Sequence, residues 1–151
     1  MPRLKPIASS TLRLIGWRER VRLPELALGT LIAKVDTGAR SAALHAEEIV
    51  IHGNRVRFVV PVNGKNHHHD LPLAGHRRVK NSSGRTESRA VIETAIAIGD
   101  EQWQAEVTLT NRRDMGVPML MGRATIRGRY AVHPGKAFIL SRSKPAKKKK
   151  S

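Results

Sequence analysis

The sequence predicts a mainly β domain, closed or nearly closed into a barrel, and three observations predict it. Apolar residues come in short alternating or β-branched runs. Turns bearing Gly, Asn or Pro separate these runs at regular spacing. Helix signals are few. At 151 residues the chain has the length of one domain. Its five aromatics are Trp17, Phe58, Trp103, Tyr130 and Phe138, so Val, Ile, Leu and Ala must build the core.

Taken in order, "TLRLIGW" and "RVRLPEL" read as short strands broken by Gly16 and Pro24. "LGTLIAKVD" is a longer strand. "EEIVIHGNRVRFVVPV" reads as two strands around a Gly53-Asn54 turn. The stretch from His76 to Thr110 reads as two successive hairpins, with turns at Asn81-Ser82-Ser83-Gly84 and Gly99-Asp100-Glu101. "RYAVHPGKAFIL" reads as a last hairpin turning at Pro134-Gly135. Residues Ala39 to Ala46 and the "RATI" after Gly122 each have room for one helical turn.

The ends differ from the body. Residues 1–10 are expected to be a flexible start and 142–151 a disordered basic tail, which leaves 11–141 as the domain. The net charge is +16; removing the six basic residues of the tail (Arg142, Lys144, Lys147, Lys148, Lys149, Lys150) leaves +10, so the body is basic too. A basic body favours an acidic partner: nucleic acid, a membrane surface or a polyacidic peptide. No Cys occurs, which excludes disulfides, thiol catalysis and Cys-based zinc sites and fits a cytoplasmic protein. No apolar run approaches the roughly 18 residues that span a membrane, and "MPRLKPIASS" lacks the apolar core of a secretory signal.

Asp36-Thr37-Gly38 follows directly on the strand "LIAKV". It is either an ordinary Asx turn or half of a two-carboxylate catalytic site. In the second case each residue type has a reason. A strand-end Asp reaches a shared water, a Thr hydroxyl braces the loop, and Gly lets the backbone approach closely. Two carboxylates a few Å apart share a proton, so that one activates water while the other donates to a carbonyl. Of the four Asp residues (Asp36, Asp70, Asp100, Asp114), only Asp36 stands in a Thr-Gly context. A two-carboxylate site therefore needs a second chain, with Asp36 facing Asp36 across a twofold axis.

The Leu120-Met121-Gly122-Arg123 block, with its two apolar residues, Gly and Arg, is similar to the strand behind the catalytic loop of retroviral peptidases. Together with "LIGWRERVRLPEL", "KVDTGARSAALHA", "RRVKNSSGRTESRAVIE", "VTLTNRRDMGVPMLMGRATI" and "YAVHPGKAFIL", it makes residues 11 to 140 resemble one bacterial family of retropepsin-like proteins. That family is often labelled "ATP-dependent zinc protease" and is associated with the enzyme that adds glutamates to a small-subunit ribosomal protein. The resemblance implies a retropepsin-like closed β-barrel with one or two short helices, a homodimer, and peptidase action on the added glutamate tail. On it, Asp36, Thr37 and Gly38 are the catalytic triplet.

The chain departs from the viral pattern at Lys34 and Arg40, where viral enzymes carry an apolar residue and an acid. Lys34 shares a strand face with Asp36; it either stabilises that carboxylate and opposes proton sharing, or snorkels to solvent. Arg40 suits a substrate carboxylate, which its fork grips bidentately. The hairpin "HRRVKNSSGRTESR" adds Arg77, Arg78, Lys80, Arg85 and Arg89 around Glu87. It reads as a flap whose cations, alternating at period two, meet a polyglutamate strand, or as a solvated hairpin. Arg78, Lys80, Arg85, Arg89 and Arg123 join Lys34 and Arg40 as expected substrate contacts.

"NHHHD" (His67 to Asp70) reads as a polar loop, since an extended stretch puts only His67 and His69 on one face and no third ligand is evident. No phosphate-binding Gly-x-x-x-x-Gly-Lys-Ser/Thr loop occurs. Neither a metal nor another cofactor is expected. The competing function is a non-enzymatic module that contacts RNA or the ribosome through the basic surface and tail, although five aromatics are a poor supply of stacking platforms. A metal-dependent hydrolase is the least supported reading.

Overall fold

The computed structural model describes residues 12–80 and 83–142. The expected flexible start and, Arg142 apart, the expected tail lie outside the described residues. The architecture is mainly β, with one short helix and two single 3-10 turns.

Six strands pair in a closed ring. β2 (Arg18–Arg22) runs antiparallel to β3 (Thr30–Val35), which runs parallel to β11 (Met119–Met121). β11 is antiparallel to β4 (Ala42–His45), and β4 is parallel to β10 (Glu101–Thr110). β10 pairs antiparallel with the long β9 (Thr86–Ile98), which returns to β2 through Arg22↔Ala97. β8 (Gly75–Lys80) extends the sheet beyond β9. A separate antiparallel sheet holds β5 (Glu47–His52), β6 (Arg55–Val62) and β7 (Lys65–Pro72); β1 (Arg13–Gly16) pairs in parallel with β12 (Tyr130–His133). The helix, α1, is Arg123–Ile126. Among the described residues no helix is long and apolar enough to cross a membrane.

The ring closes over a core of aliphatic side chains. Ile15, Val21, Leu31, Leu44, Ile92, Ile96, Leu109 and Met119 are all buried. Trp103 packs on Tyr130 at 5.7 Å between ring centroids.

Four expectations are corrected. Residues Ala39 to Ala46 make no helical turn: Ala42 to His45 form β4, which is buried at every position and paired on both edges, by β10 and β11. The last hairpin does not form. β12 pairs with β1 instead, and residues 136–138 run back along the β1–β2 junction, where Trp17 N–H donates to Lys136 O (2.9 Å) and Phe138 N–H to Arg18 O (2.8 Å). "NHHHD" lies in strand β7, not in a loop. Finally, the basic hairpin does not gather its charges on one face. Arg77 lies opposite Arg89 and Val79 opposite Glu87, whereas Arg78 and Lys80 fall opposite Ser88 and Thr86. Directly opposed residues share a face, so Arg78 and Lys80 point away from Arg89 and Glu87.

One buried carboxylate ties the C-terminal segment to this frame. Glu19 has no solvent exposure. Its two oxygens accept from the backbone N–H of Gly16 (2.6 Å), Ile139 (2.9 Å), Leu140 (3.1 Å) and Ser141 (2.8 Å), and from the Ser141 hydroxyl (2.5 Å). Burial by itself pushes the Glu19 carboxyl up, but the bonds from Gly16, Ser141 and Leu140 outweigh it and hold the group below its ordinary range. Gly16 must be Gly here, because a Cβ would sit 2.5 Å from Lys136 O.

Glu19→Gln presents an amide donor to this cluster of donors and should destabilise the fold by about 3 kcal/mol in urea unfolding at neutral pH. A folded-state value below the unfolded one places the contribution above the ordinary carboxylate range and removes it as pH falls through the folded value. The gap between wild type and variant should therefore stay constant from neutral pH to about 5 and narrow in more acidic buffer.

Candidate active site

β3 delivers Asp36 to its position. The β-branched and aliphatic run Thr30–Val35 suits a strand, and Met121↔Val35 is the last register pair with β11. Asp36 N–H then donates to Met121 O (2.9 Å). Beyond it the chain turns: Gly38 N–H donates to Asp36 Oδ1 (3.0 Å) and Ala39 N–H to Asp36 O (3.1 Å). The Asx turn is thus real. It engages one carboxylate oxygen, and among the described residues no hydrogen bond is made by the other.

The loop is held from behind by β11 and α1. Arg123 N–H donates to Ala39 O (2.9 Å) and Ala124 N–H to Arg40 O (2.8 Å), while Arg123 Nη1 donates to Thr37 O (2.9 Å). Gly122 makes this contact feasible. A Cβ there would lie 2.5 Å from Ser41 O and 2.6 Å from Arg40 C, so backbone packs directly on backbone.

A cleft of ≈650 Å³ opens over the loop, lined by Asp36, Gly38, Ala39, Arg40, Ser41, Ala43, Leu120 and Val79 and by Arg77, Arg78, Lys80, Arg89, Arg112 and Arg123. Counting Arg40, seven cations surround one lining carboxylate. Three of them have acidic partners: Arg89 pairs with Glu87 (2.7 Å), Arg77 with Glu106, and Arg112 with Asp114 (3.2 Å). Arg40, Arg78 and Lys80 form no ion pair among the described residues. Arg112 is further placed by its N–H, which donates to His45 Nδ1 (3.0 Å), and His45 Nε2 in turn meets Glu47 (3.0 Å).

Of the residues expected from sequence, Asp36, Gly38, Arg40, Arg78, Lys80, Arg89 and Arg123 come together on this cleft. Thr37 sits in the loop with its side chain exposed. Lys34 lies opposite Arg18 on β2 and Leu120 on β11, outside the cleft lining, and so does Arg85. Arg89 is nearly buried, with a side-chain exposure of 6%, so it forms the wall of the cleft and not a mobile surface hook. Arg123 braces the loop as well as lining the cleft. Arg77 and Arg112 complete the lining. Arg77 was visible as one cation of the hairpin, but Arg112, in "NRRDMG", carries no local signal that separates it from a solvated charge.

The histidines of the His67–His69 run are not among the residues lining this cleft. His67 and His69 share the inner face of β7, and the Phe58 ring lies 5.5 Å from that of His69. Burial first, then His67 and His68, hold the His69 imidazole below its ordinary range. Among the described residues no three His, Asp or Glu side chains are grouped to hold a metal ion.

Comparison with known proteins places these features in a family. The family model described as "RimB-like: Retropepsin-like aspartic endopeptidase RimB" matches residues 14–143. Curated relatives include a probable alpha-L-glutamate ligase of Parasynechococcus marenigrum, 37% identical over 129 residues that cover 80% of this chain and 28% of that protein. Another, of the same description, comes from Shewanella pealeana and is 33% identical over 142 residues, covering 84% of this chain and 30% of that protein. The chain thus spans under a third of the length of these relatives. A crystal structure of a Legionella pneumophila protein of unknown function superposes with a TM-score of 0.71 at 34% identity, covering 85% of this chain and 98% of that one. None of these descriptions carries the ATP-dependent zinc protease label.

The Gly122 contact yields a stability test. Gly122→Ala should cost about 3 kcal/mol in urea unfolding, since backbone must move to admit the methyl. Gly53→Ala has open space around it but a φ of +65°, and should cost about 1–2 kcal/mol from conformation alone.

Proposed function

The chain belongs to the RimB-like family of retropepsin-like aspartic endopeptidases, and from that premise we propose that it is a homodimeric aspartic-type peptidase acting on a glutamate-rich tail of a ribosomal protein. The observation that carries the reading is the cleft itself: one lining carboxylate, Asp36, among seven cations.

The state of the other aspartates supports a second chain. Asp70 is bound by Arg55 (2.8 Å), Asp100 by Arg13 (3.1 Å) and Asp114 by Arg112 (3.2 Å), and each is held below its ordinary range chiefly by that hydrogen bond. Asp36 alone has no cationic partner among the described residues. Its catalytic counterpart is Asp36 of a second copy. One carboxylate takes a proton from water as the water oxygen attacks the peptide carbonyl; the other, protonated, donates to the carbonyl oxygen. The tetrahedral intermediate then collapses, the C–N bond breaks, and the amine leaves with the returned proton.

Selection of an acidic substrate rests on Arg40, Arg78 and Lys80, which form no ion pair among the described residues; Arg123 also has no acidic partner there, but its guanidinium is engaged by Thr37 O. Each can take a glutamate carboxylate by a charge-assisted hydrogen bond. The curated relatives support glutamate in particular, because proteins described as glutamate ligases contain a segment similar to this chain. Binding of RNA or the ribosome through the basic surface is the alternative, and the same charge serves it. The aromatics favour it less: Phe58, Trp103 and Tyr130 are buried and offer no exposed stacking face.

The test is mass spectrometry of an oligoglutamate-tailed peptide at neutral pH. The wild type should remove glutamates, Asp36→Asn should slow removal by about a thousandfold, and EDTA should have no effect. Arg78→Ala should raise KM by about tenfold or more, with the rise largest at low salt. An intact tail with every protein, together with RNA affinity unchanged by Asp36→Asn, would favour the binding module.

A further inference from the structure

The Asp36 cleft continues past Arg77. Arg40, Ser41 and Arg77 also line a second pocket of ≈440 Å³, together with Trp103, Arg127 and Arg129. Arg129 lies over the Trp103 ring, 4.7 Å from its centroid. Stacking of this kind holds a guanidinium in plane and leaves its edge donors available. Neither Arg127 nor Arg129 forms an ion pair among the described residues. Glu106 is the one carboxylate of the lining, and it is paired with Arg77 at the junction of the two pockets. Thr108, also in the lining, is buried, and its hydroxyl donates to Ala42 O (2.7 Å).

The geometry points to a second subsite for an acidic side chain of the same peptide, built from Arg127 and Arg129, with Glu106 as an internal carboxylate that holds Arg77 until a substrate carboxylate displaces it. This rests on reading the Asp36 cleft as a groove for an acidic peptide. It adds that the chain reads tail length: the pockets adjoin at Arg40, Ser41 and Arg77, and an extended peptide advances about 3.3–3.6 Å per residue, so each added glutamate carries the tail further from the Asp36 cleft into the second pocket. A short tail fills the Asp36 cleft alone. Glu106 also gives selectivity against weak ligands, because a group without full negative charge does not replace it at Arg77.

The test uses the full chain carrying Asp36→Asn, so that peptides are bound and not consumed. Fluorescence anisotropy follows labelled peptides ending in two or in six glutamates. The six-glutamate peptide should bind about tenfold tighter or more, as added charge-assisted contacts give. Arg127→Gln and Arg129→Gln should each remove most of that advantage and leave the two-glutamate affinity within about twofold. Glu106→Gln should strengthen binding of the longer peptide. Arg57→Gln, an equal charge change on β6 and outside both pockets, should alter neither. A length advantage that survives both Arg variants, or a loss equal for both lengths and matched by Arg57→Gln, overturns the subsite. Cleavage of the same peptides by the wild type separates the two readings. Cleavage without a length effect sinks the subsite alone. Arginine-dependent length preference without cleavage sinks the peptidase and leaves the subsite standing as part of an acidic-peptide groove.

Discussion

The candidate site depends on one backbone contact, that of Gly122 against Arg40 and Ser41. It brings the end of β11 onto the back of the Asp36 loop with no side chain between them. From that contact follow the hydrogen bonds from Arg123 and Ala124 to Ala39 and Arg40, and the bond from the Arg123 guanidinium to Thr37 O. A carboxylate that works in a pair must be held to a fraction of an ångström. A loop on its own does not achieve this. A loop clamped between two strands and a helical turn does, and the clamp is built from backbone, which admits little variation.

Charge is the second constraint. Packing seven cations around one cleft is unfavourable unless something offsets their repulsion. The fold does this by assigning Glu87, Glu106 and Asp114 to Arg89, Arg77 and Arg112. The cations left over mark where an anion is expected. Glu19 shows the opposite use of a carboxylate: fully buried, surrounded by N–H donors and far from any role in binding, it fastens residues 139–141 beside the β1–β2 junction. The same side-chain chemistry serves architecture in one place and selection in another, and burial with complete hydrogen bonding tells them apart.

What could be read from the sequence was mostly local. The Asp36 turn and the Gly53 and Gly99 turns depend on neighbours a few residues away, and all are present; alternation holds in β7 and β8 but not in the long β9, which is buried from Arg89 to Ile92 and again from Thr94 to Ile98. The Asn63-Gly64 turn was equally local: both residues have positive φ, 55° and 76°, as a two-residue hairpin requires, and it explains why the His-rich stretch is strand β7 and not a loop. Other features are non-local. Nothing within Ala42 to His45 announces a strand, because its partners β10 and β11 lie more than sixty residues away. Tyr130 to His133 pairs with β1, at the other end of the chain. The split of Arg78 and Lys80 from Arg89 depends on hairpin register, and register is invisible until both arms are paired.

The central claim is that the site is completed by a second chain, and mixing tests it most directly. Wild type is co-refolded with increasing proportions of Asp36→Asn, and glutamate release is measured at constant total protein. A site made of two Asp36 residues predicts activity that falls as the square of the wild-type fraction. A linear fall would mean that each chain works alone, and would contradict the account.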